Sequence, residues 1–135
     1  MHVQRAVRGA PAAARLRAFA RAAARPGQTI TLRVVGAAEA RTLNRTFRRR
    51  DYPTNVLSFG YSRTHGDIVL CHPVIAREAR AQGKSLAAHY AHLVVHGVLH
   101  LRGHDHARAA AARRMERREV ALLARLGFAD PYTVE

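Results

Sequence analysis

Three histidines in the last third of the chain have a spacing that suits a metal ion. His96 and His100 are four residues apart, so on a helix both imidazoles project from the same face, with Cβ atoms about 5 to 6 Å apart. Gly103 favours a left-handed turn that ends the helix and brings His106 back toward the other two. Three imidazoles with one position open to water are typical of a catalytic zinc site, whereas structural sites have four protein ligands. The sequence therefore predicts a zinc ion held by His96, His100 and His106.

Further polar residues surround this cluster. Asp105 could hold a ligand imidazole through a hydrogen bond. His89 and His92 precede His96 on the same predicted helix. Both are predicted to be packed or solvent-facing, and the alternative is that either one lies just outside the ring of metal ligands and supports it. His104 is predicted to face solvent or to pack inside the turn. The remaining histidines lack such a context and are expected at the surface: His2, His65 and His72.

The same histidine spacing occurs in the metzincin proteases, whose motif begins His-Glu. Here Gly97 follows the first histidine, so the glutamate that acts as general base in peptide hydrolysis is missing. Peptide cleavage is therefore disfavoured, although a metalloprotease stays as an alternative.

The charge of the chain favours a polyanionic partner. Lys and Arg number 23 against 9 Asp and Glu, a formal net charge of +14. A domain this basic attracts nucleic acid from a distance, but composition does not separate RNA from DNA or from an acidic membrane surface. Two arginine groups stand out, and each is either a phosphate-binding surface or a solvated face: Arg45, Arg48, Arg49 and Arg50, and Arg113, Arg114, Arg117 and Arg118.

The pattern of apolar residues indicates one α+β domain over residues 1–135, in which a small mixed β-sheet packs with about five helices. Because the histidine spacing is similar to that of the metzincins, the helix that bears it is expected to be placed as in zincins. Strands are predicted from Thr29 to Val35, where apolar residues alternate, and over 56–59 and 67–71. Helices are predicted over 11–25, around Ala40, Leu43 and Phe47 up to Pro53, and over 73–82, 85–102 and 107–126.

The chain carries no apolar run near the roughly 20 residues of a membrane span and no signal segment. A cytoplasmic protein without a membrane partner is therefore expected. The lone cysteine, Cys71, cannot form an internal disulfide and is predicted to be a buried thiol, which fits a reducing compartment.

The segment from His96 to His106 resembles the signature of the YbeY family of bacterial metal-dependent endoribonucleases, also called rRNA maturation factors. That signature reads His-Gly-x-Leu-His-Leu-x-Gly-Tyr-Asp-His, and this chain departs from it only at His104. A second block, from Leu43-Asn44 through Phe47-Arg48 to residues 53–59, is similar to the second signature of the family. There Asn55 occupies a position that is Asp in many members and Asn in others. The resemblance covers roughly residues 29–132.

The resemblance implies that His96, His100 and His106 bind zinc and that Arg48 is functionally important. It implies a single-strand-specific endoribonuclease in 16S rRNA 3′-end maturation and ribosome quality control. Ribosomal RNA, the small ribosomal subunit and ribosomal proteins are its expected partners. Zinc-bound water, or zinc as Lewis acid for an RNA 2′-oxygen, would cleave the phosphodiester while Arg48 neutralises charge on the phosphate.

Two points stay open on the sequence. A non-enzymatic ribosome-assembly factor, with zinc only stabilising the fold, is a second alternative beside the metalloprotease. Nickel or another divalent ion would fit the same three ligands.

Overall fold

The computed structural model describes residues 1–103 and 108–133, which form four strands and five helices. In chain order the elements are β1 (His2–Arg5), α1 (Ala13–Ala23), β2 (Thr29–Val35), α2 (Ala37–Arg48), β3 (Val56–Gly60), β4 (His65–Cys71), α3 (His72–Ala81), α4 (Leu86–Leu101) and α5 (Ala109–Arg125). The strands pair in the order β1-β2-β4-β3, with β1, β2 and β4 parallel and β3 antiparallel to β4. This arrangement confirms the predicted α+β class with a small mixed sheet.

The sheet separates a large apolar cluster from a smaller one. Because side chains alternate between the faces of a strand, Ile30, Leu32 and Val34 of β2 enter the large cluster, where α1, α4 and α5 pack. Val35 at the end of the same strand enters the smaller cluster beneath α2 and α3. Cys71 is buried in this smaller cluster, as predicted for an apolar thiol.

Helix α4 is the most buried helix beside the sheet and positions the candidate site. Most of its residues from His89 to Leu99 are buried. Gly97 permits a close approach to the sheet, since a Cβ atom there would lie 3.0 Å from Ile68 Cδ1 and 3.1 Å from Ser58 Oγ. The helix begins after Ser85, whose hydroxyl accepts a hydrogen bond from the amide of Ala88 at 3.1 Å, and this cap satisfies an otherwise unpaired donor.

The structure differs from the sequence prediction at two places outside the core. Strand β1 was not expected, because its short segment exposes most of its side chains and depends on parallel pairing with β2. Helix α2 ends at Arg48, well before Pro53, because Arg49 adopts a left-handed conformation with φ 56°. Phe47 near this end is 60% exposed, and its ring contacts that of Phe59 in a T-shaped arrangement with 5.3 Å between the ring centroids.

Within residues 1–103 and 108–133, none of the helices combines the length and the apolar character that crossing a bilayer requires.

Candidate active site

A cleft of about 330 Å³ opens between the end of α2, strand β3 and one face of α4. Arg48 lines it from α2, Ser58 from β3, and His96 and His100 from α4. The structure therefore brings Arg48, His96 and His100, which the sequence analysis selects, to the same cleft. The fourth selected residue, His106, lies outside the described residues.

The last two turns of α4 present the two histidines. His96 is about one third exposed, with 31% of its side-chain surface accessible, and His100 is exposed. Helix α4 ends at Leu101. Two residues later, Gly103 has φ +91° and donates its amide to the carbonyl of His100 at 3.0 Å. The left-handed turn predicted at this glycine is thus present. The residues that follow it, from His104 and Asp105 to Ala107, lie outside the described part of the chain.

Arg48 occupies the last position of α2, where the chain turns toward β3. Its Nη2 atom donates a hydrogen bond to the carbonyl oxygen of Ser58 at 3.1 Å. A guanidinium group has five N–H donors in a planar fork, so this bond orients Arg48 at the cleft while other donors can bind an anion. Arg50, two residues further on, lines the same cleft.

A buried carboxylate lies behind His96. Glu119 of α5 has no exposed surface, and its Oε1 atom lies 2.5 Å from Nδ1 of His96. Its Oε2 atom lies 3.2 Å from Nε2 of His92 and accepts a hydrogen bond from the hydroxyl of Tyr132. His92 therefore contacts the same carboxylate that holds His96, and its outer role at a metal site, the alternative left by the sequence, stays a prediction.

These contacts determine the charge of Glu119 and the tautomer of His96. Burial by itself raises the pKa of the Glu119 carboxyl, but hydrogen bonds from His92, His96 and Tyr132 outweigh it and lower the pKa to about 2. An ionised carboxylate can only accept hydrogen bonds, so Nδ1 of His96 carries the proton. Nε2 is then the nitrogen with which His96 would bind an ion, the arrangement by which carboxylates orient metal-binding histidines.

Two other histidines contact side chains away from the cleft. His89 is buried and donates from Nε2 to Glu78 Oε1 at 3.0 Å, and Asn55 donates to the same oxygen at 3.0 Å. His89 is thus packed, as predicted. His72 was expected at the surface, but it is partly buried and its Nδ1 atom lies 2.7 Å from the hydroxyl of Tyr90.

The sequence analysis missed Glu119, although the chain contains a signal for it. Glu119 follows Met115 by four residues and precedes Leu122 and Leu123 by three and four, and all of these residues are buried on α5. A carboxylate on the apolar stripe of a helix must be paired when it is buried. The spacing could therefore have indicated a buried partner for one of the basic or imidazole groups.

The donors of the cleft suit a divalent transition-metal ion. Within residues 1–103 and 108–133, no three His, Cys, Asp or Glu side chains are gathered closely enough to hold a metal ion. The predicted ligand set needs His106, which lies outside those residues. Two imidazoles one helical turn apart, one of them oriented by a buried carboxylate, match the ligands that zinc prefers.

Comparison with known proteins identifies the family of the chain. Residues 9–127 match the family model described as Endoribonuclease YbeY. The protein named Endoribonuclease YbeY of Bordetella pertussis is 59% identical over 111 residues, which cover 78% of this chain and 71% of that protein. The protein of the same name from Aromatoleum aromaticum is 53% identical over 125 residues, which cover 90% of this chain and 81% of that protein.

A solved structure shows the same fold. The solution structure of TM1509 from Thermotoga maritima matches with a TM-score of 0.61 at 20% identity and covers 98% of this chain and 99% of that one. At this identity the likeness concerns the fold alone. The family model and the similar sequences, taken together with the cleft, lead to one conclusion: the chain is a member of the YbeY family.

Proposed function

We propose that this protein is an endoribonuclease that cleaves single-stranded ribosomal RNA, in 16S rRNA 3′-end maturation and ribosome quality control. The observation that carries the proposal is the cleft in which Arg48, His96 and His100 meet. The net charge of +14 and the endoribonuclease name of the family support RNA as the substrate.

The proposed cofactor is one zinc ion bound by His96, His100 and His106. The orientation of His96 by Glu119 supports this ligand set, because it presents Nε2 away from the carboxylate. When bound, such an ion supplies a Lewis acid that activates water or a 2′-oxygen and polarises the phosphate.

The protein's own side chains supply phosphate binding and proton control. Arg48 would donate to the non-bridging oxygens of the scissile phosphate and stabilise the charge that develops there. Glu119 would keep the proton on Nδ1 of His96. Among the described residues, the cleft lining contains no aspartate or glutamate, which favours a phosphodiester, with its negative charge, as the bound group.

The structure also bears on the metalloprotease alternative. The position that carries the general-base glutamate in metzincins is Gly97 here, and a side chain at this position would meet Ile68 and Ser58 of the sheet. A glutamate there would be buried against the sheet. Both the chemistry of residue 97 and its location therefore oppose peptide hydrolysis.

We further propose that the chain works as a single domain in the cytoplasm, with the small ribosomal subunit and its proteins as partners. The non-enzymatic alternative, a zinc-stabilised assembly factor, predicts RNA binding without cleavage.

The test compares cleavage of single-stranded RNA, a duplex of the same sequence and an unstructured protein, each with and without a chelator. We expect cleavage of the single strand alone, and its loss with the chelator. Arg48→Ala should reduce kcat/KM by about 100-fold, with Arg48→Lys intermediate because it keeps the charge but not the fork. Arg21→Ala, which removes an exposed arginine of α1, is the matched control and should cleave normally.

Three results would contradict the proposal: an intact single strand, cleavage that is insensitive to the chelator, or cleavage of the unstructured protein. The ends of the products also separate the two chemical routes. A 2′,3′-cyclic phosphate would exclude direct attack by water.

A further inference from the structure

Several aromatic side chains lie at the surface of the described part of the chain. Among the described residues, the large hydrophobic side chains that are strongly exposed are Phe47, Tyr52, Tyr61 and Tyr132. Tyr52 differs from the other three because it lines the cleft that contains Arg48, His96 and His100. The residue is 47% exposed, so part of it is open to a ligand.

Neighbouring residues hold Tyr52 in place from both ends. The side-chain amide of Asn44, which is 2% exposed, donates to the carbonyl oxygen of Tyr52 at 2.8 Å. At the other end, Nη1 of Arg50 donates to the phenol oxygen at 3.3 Å. A ring that is already positioned loses little conformational entropy when a ligand binds to it.

The surroundings of the ring favour a nucleic acid over a protein as its ligand. An exposed aromatic ring alone would suit either partner, but Arg48 and Arg50 line the same cleft and the described lining has no carboxylate to balance them. A ligand that presents a flat apolar group beside a negative charge matches this combination. Unpaired nucleotides have these properties, because each base can stack on an aromatic side chain while its phosphate binds arginine.

We propose that Tyr52 is a base-stacking residue, which binds an unpaired nucleobase of single-stranded RNA beside the phosphate that Arg48 contacts. This inference rests on the proposed function and extends it to substrate selection. In a duplex the bases are stacked on each other and are not available to the ring. Tyr52 therefore contributes to the preference for single strands, and it acts through substrate binding.

The test uses the metal-loaded protein in excess over labelled single-stranded RNA in single-turnover reactions. The protein concentration at half-maximal rate and the maximal rate are measured separately. For Tyr52→Ala we expect the half-saturating concentration to rise roughly 10- to 100-fold, with the maximal rate changed much less. Tyr52→Phe should behave nearly like the wild type because the ring is kept, although the hydrogen bond from Arg50 is lost.

Tyr61→Ala is the matched control, since Tyr61 is an exposed tyrosine that does not line the cleft. A second measurement reports stacking directly, with 2-aminopurine placed in the RNA. Its fluorescence should be quenched on mixing with the wild type and with Tyr52→Phe, and not with Tyr52→Ala. Thermal unfolding of each variant checks that the fold is retained.

The outcomes separate this inference from the proposed function. If the wild type does not cleave RNA, the proposed function fails and the inference falls with it. If the wild type cleaves RNA and Tyr52→Ala is equally efficient, the inference alone is wrong. Equal effects of Tyr52→Ala and Tyr61→Ala, or a Tyr52→Phe variant as weak as Tyr52→Ala, would also overturn it.

Discussion

Replacing Glu119 tests whether the buried carboxylate organises the site. Glu119→Ala removes the acceptor shared by His92, His96 and Tyr132. Removal of the acceptor from a buried hydrogen bond typically costs about 1 to 3 kcal/mol for each donor left unpaired. His92 and His96 keep 15% and 31% of their side-chain surface exposed, so water can hydrate part of what is left unpaired. For the three donors we therefore expect a loss near the lower limit of about 1 kcal/mol each, which is about 3 kcal/mol in total in the free energy of unfolding.

Glu119→Gln removes the charge of this side chain and keeps its shape, so it distinguishes the effect of the charge from that of the packing. The amide oxygen can still accept hydrogen bonds, but the amide nitrogen then faces a group that needs an acceptor. We expect a smaller loss of stability, about 1 to 2 kcal/mol, and zinc affinity about 10- to 100-fold lower because His96 is no longer held in one tautomer. Glu116→Gln, at an exposed position one turn earlier on α5, is the matched control.

The assay for both Glu119 variants has two parts. Urea unfolding in the presence of a chelator gives the stability of the metal-free protein, so that metal binding does not contribute to it. Competition with a chromophoric chelator then gives the zinc affinity. The reasoning is refuted if Glu119→Ala unfolds within about 0.5 kcal/mol of the wild type, or if Glu119→Gln binds zinc as tightly as Glu116→Gln.

Three further predictions follow from the packing. Gly97→Glu would place a carboxylate against the sheet, so it should destabilise the protein by more than about 3 kcal/mol, as measured by thermal or urea unfolding. The variant should also show no protease activity. A variant as stable as the wild type would contradict the close packing of Gly97 on the sheet. Burial lowers the pKa of His72 and His89, which favours their neutral forms in the folded state. The free energy of unfolding should therefore be fully retained above about pH 7 and decrease as the pH falls below about 6.5; His89→Gln should flatten this dependence in urea titrations across that range. Arg49→Gly should raise the free energy of unfolding by about 0.5 to 1 kcal/mol because glycine adopts the left-handed conformation at less cost. A loss of stability would show that contacts of the Arg49 side chain stabilise the protein by more than its backbone conformation costs.

Local sequence patterns predict much of the fold and part of the site. The alternation of Ile30, Leu32 and Val34 predicts a strand with one buried face, and the structure confirms it. Gly103 predicts the end of the histidine-bearing helix, because the left-handed turn is a property of the residue itself. The shared face of His96 and His100 follows from helical geometry alone.

The parts that the sequence did not predict depend on contacts between distant segments. Glu119 is 23 residues from His96, and their hydrogen bond exists only because α5 packs beside α4. His72 meets Tyr90 across α3 and α4 in the same way. Strand β1 is held by its partner β2 and has little apolar pattern of its own. In each case the environment of the residue is set by tertiary packing, which local periodicity does not report.

The most direct test of the proposed metal-dependent cleavage measures metal content and RNA cleavage on the same preparations of wild type, His100→Ala and His2→Ala. His2 is exposed on β1, at the sheet edge opposite β3, so it controls for the loss of an imidazole elsewhere. We predict about one zinc ion per chain and cleavage of single-stranded RNA for the wild type and His2→Ala, and loss of both for His100→Ala. Metal content and cleavage that are the same in all three proteins would contradict the assignment of the site.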